Sequence, residues 1–244
     1  PAAAAVAVAI ILIAFGMRPW QEQSALYSLM TICLAVLVTV TVFSEFVRGG
    51  RVIGGKTGKG LVTAMANLAH RNTRRYGGYI VHFGVALVMI GLAGSAFNQD
   101  KEKEMGYGDS MKVGAYTLTC RSYTQDDKPN YRSEWAILDV TDNGKPLTTL
   151  YPERRFYKAS QQMATMVANR STLKEDLYVV YEGVNEDTGR PIIKVHLNPL
   201  VMWIWIGWLT MVGGTILCMV PNAERVSLPA TTPVRATAAV QAGD

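Results

Sequence analysis

Several things are scarce in this sequence, and each scarcity narrows the reading. Only three cysteines occur in 244 residues. Cys33 and Cys218 sit inside apolar runs, and Cys120 stands alone in the polar segment between two of those runs. No CxxC is present, so the sequence suggests neither thiol–disulfide exchange nor a zinc knuckle, and all three read as packing residues. No solenoid-like period is visible. The stretch GGRVIGGKTGKG is rich in glycine, but no strand precedes it, which argues against a nucleotide site. Acidic residues are missing altogether from Val47–Gly78, which holds Arg48, Arg51, Lys56, Lys59, Arg71, Arg74 and Arg75. The net charge of +5 belongs mostly to this stretch, and nothing calls for a nucleic-acid partner.

What the chain does have is long apolar runs: Ala2–Met17, Ala25–Phe46, Gly78–Phe97 and Leu200–Val220. Three are close to the roughly 20 residues a helix needs to cross a bilayer core. The first is shorter and begins at Pro1, so we read the chain as cut from something longer, with a truncated first span. It makes a poor signal peptide because no basic region precedes it. Four spans are therefore expected. By the positive-inside rule the basic stretch is cytoplasmic, so the third span runs outward and the fourth returns. This gives a transmembrane hairpin over 1–46, a flexible, lipid-facing basic loop over 47–77 and a span over 78–97. An external domain follows over 98–198, then a span over 199–220 and a disordered cytoplasmic tail over 221–244.

The external segment holds 15 Asp and Glu against 14 Lys and Arg, and it reads as strand. MKVGAYTLTCRSY and SEWAILDV alternate, Asp142-Asn143-Gly144 suits a tight turn, and LYVVYEGV and IIKVHLNP flank NEDTGR. Five or six strands are expected, in a small barrel (OB-like among the options) or a sandwich. A short helix or an ordered crossing is expected within KASQQMATMVANRSTLKEDL. Asn198 suits a helix cap and Pro199 a first turn. Trp203 and Trp205 mark the outer boundary. Trp205 and Trp208 share a face, for packing on another span or for stacking on a flat cofactor.

Of three histidines, His70 is expected in solvent, and His196 on a strand face or at the interface. His82 lies inside a span, where an ionisable group is costly and usually finds a partner. Its helical neighbours include Gly78, Tyr79, Val85, Ala86 and Met89. Two readings stay open: a hydrogen bond to a neighbouring helix, or an axial ligand to haem iron, for which neutral imidazole is suited.

RRYGGYIVH, YPERRFY, KEDLYVV and NPLVMWIWIG, in this order around an external domain, resemble the C-terminal third of CcmF, the cytochrome c-type biogenesis family of the bacterial haem lyase system. The resemblance runs from about Arg74 to Val220. It implies that His82 is one of two transmembrane histidines ligating a haem b, and that Arg74 and Arg75 are candidate partners for its propionates. It further implies a bacterial inner-membrane protein with a periplasmic domain. That domain would meet a haem chaperone and the subunits presenting apocytochrome c, with quinol as electron source. The family's reaction joins haem vinyl groups to the thiols of a CxxCH site. Its tryptophan-rich segment, external histidines and second transmembrane histidine lie upstream and are not in this chain. Met202 stands where the family often has a basic residue, and Trp208 where it has glycine. The alternative is a membrane-anchored scaffold whose β-domain binds partner proteins without a cofactor.

Overall fold

The computed structural model describes residues 1–58 and 60–221. The tail expected to be disordered, beyond Pro221, lies outside the described residues. Among the described residues are five α-helices: α1 (Ala2–Ala14), α2 (Gln23–Thr57), α3 (Leu61–Arg71), α4 (Thr73–Ala93), continued by a 3₁₀ turn over Gly94–Phe97, and α5 (Val201–Met219). Among the described residues three helices, not four, are long and apolar enough to cross a membrane: Gln23–Gly55, Thr73–Phe97 and Val201–Met219. At 1.5 Å per residue the 13 residues of α1 reach only about 20 Å, short of a core about 30 Å thick.

The basic stretch is also not the loop the sequence suggested. With 35 residues, α2 extends about 52 Å and carries Arg48 and Arg51 past the apolar core. The amphipathic α3 then packs back against it. Gly49 and Gly50 permit this approach: a Cβ on Gly49 would run into Leu68 Cδ2 of α3, and one on Gly50 would lie 2.6 Å from Met65 Cγ.

Between α4 and α5 the chain folds into two sheets. One contains β1 (Gln99–Glu104), β8 (Ala168–Ser171), β9 (Glu175–Val184) and β10 (Pro191–Pro199), in the order β1-β10-β9-β8. The other contains β2 (Ser110–Val113), β3 (Tyr116–Asp127), β4 (Tyr131–Asp142), β6 (Glu153–Tyr157) and β7 (Gln162–Met166) in that order, with β5 (Lys145–Leu150) paired to β4. All the pairings are antiparallel. The sheets close over Leu118, Leu138, Val140, Leu177, Val179, Tyr181, Ile193 and Val195, each 1% exposed or less. Strict alternation of buried and half-buried residues along β9 and β10 produces that inner face. The charged sequence QDKEKE of β1 lies at a sheet edge, where it discourages pairing with another chain.

The ten strands form a sandwich. The segment expected to hold a short helix or an ordered crossing holds β7 and β8, whose residues pair with β6 and β9. Asn143 and Gly144 form the expected tight turn, with φ of 47° and 82°. Asn198 does not cap α5. It remains in the ladder opposite Asp176, and the helix starts beyond Leu200, which takes a left-handed φ of 65°. The strand therefore runs almost directly into the span. The Trp203 indole anchors the junction, donating to the Leu173 carbonyl at 3.0 Å.

Candidate functional site

The site is built on α4. Along it, Gly77, Gly84 and Gly91 recur every seven residues and so share one face. On α5, Gly207 and Gly214 do the same. The two rows interlock: a Cβ on Gly84 would lie 2.8 Å from the Gly207 carbonyl oxygen, and one on Gly214 would lie 2.9 Å from that of Gly77. Backbone thus rests on backbone, the close approach that small residues permit between membrane helices. A second flank of α4 meets α2 through Phe43–Phe83, Phe46–Tyr76 and Phe46–Tyr79, with ring centroids 5.6, 4.9 and 6.1 Å apart.

His82 precedes Gly84 by two residues. At about 100° per residue it points nearly opposite to the glycine seam. The ring is exposed, on a strip shared with Val85 and with Gly78, whose Cβ position has no atom within 4 Å. Its Nδ1 lies 2.7 Å from the Gly78 carbonyl oxygen. A carbonyl only accepts, so Nδ1 carries the proton and donates it. Nε2 is then left as a lone pair pointing off the helix. The bond is within α4, not to a neighbouring helix.

Arg75 and Arg74 lie about two turns towards the start of α4, and their circumstances differ. Arg75 is held by Glu45 of α2, with Nη2 3.3 Å from Oε2, and its Nε donates to the Tyr79 hydroxyl at 3.1 Å. Arg74 is exposed and makes no ion pair among the described residues. Of the two candidate propionate partners, Arg75 is therefore already engaged and Arg74 is unpaired among the described residues.

The other candidates are accounted for locally. His70 is exposed in the last turn of α3. His196 pairs with Asp100 directly across the β1–β10 ladder, Nδ1 to Oδ1 2.9 Å, with the Tyr178 ring 5.9 Å away. Trp205 and Trp208 are 62% and 54% exposed. Burial pushes the Cys120 thiol up from its ordinary range, with Asp109 adding to the effect. The Cys33 and Cys218 thiols face the carbonyls of Ala5 and Arg74 at 3.7 and 3.5 Å. Among the described residues no three His, Cys, Asp or Glu side chains gather as a metal site. Sequence reasoning missed the glycine seam, although the seven-residue spacing on both spans was there to see.

A helical membrane anchor that inserts an antiparallel sandwich between two close-packed spans defines the architecture. A family described as CcmF C-terminal beta-sandwich matches residues 96–199. CcmF of Escherichia coli (strain K12), a cytochrome c-type biogenesis protein, is 29% identical over 219 residues, covering 88% of this chain and 32% of that protein. CcmF of Haemophilus influenzae is 32% identical over 154 residues, covering 63% of this chain and 24% of that protein. A solved structure named Cytochrome c Heme Lyase CcmF shares the fold, with a TM-score of 0.62 at 18% identity, covering 88% of this chain and 34% of that one. Residues 96–199 match the CcmF C-terminal β-sandwich family, and over most of its length the chain is similar to a C-terminal portion of CcmF cytochrome c-type biogenesis proteins. It spans about a quarter to a third of the length of these relatives.

Proposed function

We propose that the chain is the C-terminal part of a haem lyase subunit for cytochrome c maturation, and that His82 is an axial ligand of a haem b in the membrane. The observation that carries the proposal is the state of its imidazole. The ring is fixed in one tautomer by the Gly78 carbonyl, with Nε2 free, and is aimed away from both packed flanks of α4. A ligand histidine is commonly oriented in this way, its second nitrogen bonded to a backbone carbonyl. The residues present therefore fit the group.

Bound there, the haem would supply one-electron transfer, with quinol as donor, keeping the haem destined for attachment ferrous. His82 would hold the iron at Nε2. Gly78 would fix the ring and leave space beside it. Arg74, the free cation, would be the better propionate partner, since a guanidinium grips a carboxylate with two parallel hydrogen bonds. Arg75 would first have to leave Glu45. The sandwich would lie in the periplasm of a bacterial inner-membrane protein, docking the haem chaperone and the subunits that present apocytochrome c. Thioether formation would take place on that side.

The test is the visible spectrum of the protein as cells make it, beside a His82→Ala variant. Loss of the low-spin haem b signal from a still-inserted protein, with partial return on adding imidazole, is expected. An unchanged spectrum refutes the ligand role. A protein that never carries haem but still binds its partners through the sandwich would favour the cofactor-free scaffold.

A further inference from the structure

The α2 extension and α3 are not used by this function, yet they form an ordered unit. Arg48 and Arg51 are exposed and, three residues apart, share a face of α2. That face is turned away from Gly49 and Gly50, on which α3 rests. Their level relative to the bilayer follows from a contact: the Tyr76 hydroxyl reaches Gly49, so both arginines stand where α4 carries Arg74 and Arg75. The spans enter their apolar stretch at this level.

Apart from Glu45, which Arg75 engages, the charge there is of one sign. No acidic residue occurs between Phe46 and Gln99, and Arg48, Arg51, Arg71 and Arg74 form no ion pair among the described residues. Meanwhile α3 exposes apolar side chains beside this charge, with Val62 80% and Leu61 41% exposed. Just inside, Val42, Phe43, Phe46, Met65, Ile80 and Phe83 line a groove of about 270 Å³ that presents no polar surface. On α4, Ile80 and Phe83 stand about 160° and 100° from His82. The groove therefore opens on a different side from the face left bare around the imidazole.

From this we infer that the α2 extension and α3 form a binding surface for anionic phospholipid, with the headgroup phosphate against Arg48 and Arg51 and acyl chain in the groove. Basic side chains at headgroup level attract anionic lipid, by about fivefold in affinity for each Lys or Arg. Exposed apolar residues on an amphipathic helix add insertion into the headgroup boundary. A water-facing loop would need only the charge. The apolar groove and the bare Val62 require the lipid as well.

The experiment uses the intact protein in detergent, titrated with phosphatidylglycerol or phosphatidylcholine, with retained lipid counted by native mass spectrometry. Phosphatidylglycerol should be held preferentially. Arg48→Gln and Arg51→Gln should each weaken its retention about fivefold, whereas Arg121→Gln in the sandwich should not. Ile80→Trp, which fills the groove from α4 and does not touch the contact of Met65 with Gly50, should lower retention of phosphatidylglycerol while leaving α3 packed. Equal retention of the two lipids, or no loss in the arginine variants, would overturn the inference. So would a photoreactive residue at position 43 that cross-links to polypeptide instead of phospholipid in native membranes.

Discussion

Replacing Gly84 by alanine should separate α4 from α5 at the middle of the seam. The added methyl would lie 2.6 Å from Met211 Cγ, 2.8 Å from the Gly207 carbonyl oxygen and 2.8 Å from the Met211 amide nitrogen. Met211 can swing aside, but the other two atoms are backbone, so the helices must part by several tenths of an ångström. Overpacking of this kind costs about 1–3 kcal/mol. Helix propensity works in the other direction, because alanine is favoured over glycine in a helix by about 1 kcal/mol. Gly78 separates the two effects. It lies on the same helix, and a Cβ there would meet nothing within 4 Å. Gly78→Ala should therefore be neutral or stabilising and Gly84→Ala destabilising, with Gly207→Ala resembling the latter because its Cβ would lie 2.7 Å from the Gly84 carbonyl oxygen. For a chain of this size 1 kcal/mol corresponds to about 2–4 °C in melting temperature, so Gly84→Ala is expected to melt about 2–12 °C below Gly78→Ala, which carries the same propensity gain, in detergent. If Gly84→Ala melts at or above the parent temperature while Gly78→Ala melts below it, the seam is not what holds these spans together.

Two further outcomes concern the sandwich. Burial, and then the nearby Glu134 carboxylate, pushes the Tyr181 phenol up to about 12. An unfolded tyrosine ionises near 10, so this contribution to stability is complete below about pH 10 and is lost as pH rises towards 12. Chemical denaturation across this range should show stability falling, and Tyr181→Phe should flatten the fall; an equal slope in the variant would assign it elsewhere. Gly144, at φ 82° in the β4–β5 turn, should lose about 1–2 kcal/mol on replacement by valine, whereas alanine at Gly189, with φ 66° in the β9–β10 connection, should lose a similar amount. Indifference of either variant in urea unfolding would mean that the turn relaxes.

The β-domain was legible where the alternation was clean. IIKVHLNP and LYVVYEGV became adjacent strands because their period-two pattern has one solution when one face must be buried. KASQQMATMVANRS was misread for the opposite reason. Its burial does not alternate strongly, and its strands exist because β6 and β9 offer ladder partners, a tertiary cause that local pattern does not show. The stretch 47–77 is largely helical, although glycine and charge usually mark a loop. Here Gly49 and Gly50 serve helix packing, and their permissiveness about side-chain bulk, not about φ, is what the fold uses.

For the candidate site, sequence identified His82 but could not determine its direction. Gly78 and Ala86, each four residues away on a helical wheel, look equivalent as small neighbours. In the structure they are opposites: Ala86 is fully buried, while Gly78 opens onto empty space. The asymmetry comes from helices elsewhere in the chain, with α2 taking one flank of α4 and the Gly207–Gly214 row of α5 taking the face behind the imidazole. The seven-residue glycine spacing fixes that rotation. Rotating α4 about its axis to turn His82 inward would carry Gly84 off Gly207 and bring Val85 or Ala86 towards the α5 backbone, which leaves no space for a Cβ. The cost of that rotation is what makes an ionisable ring on this helix face outward.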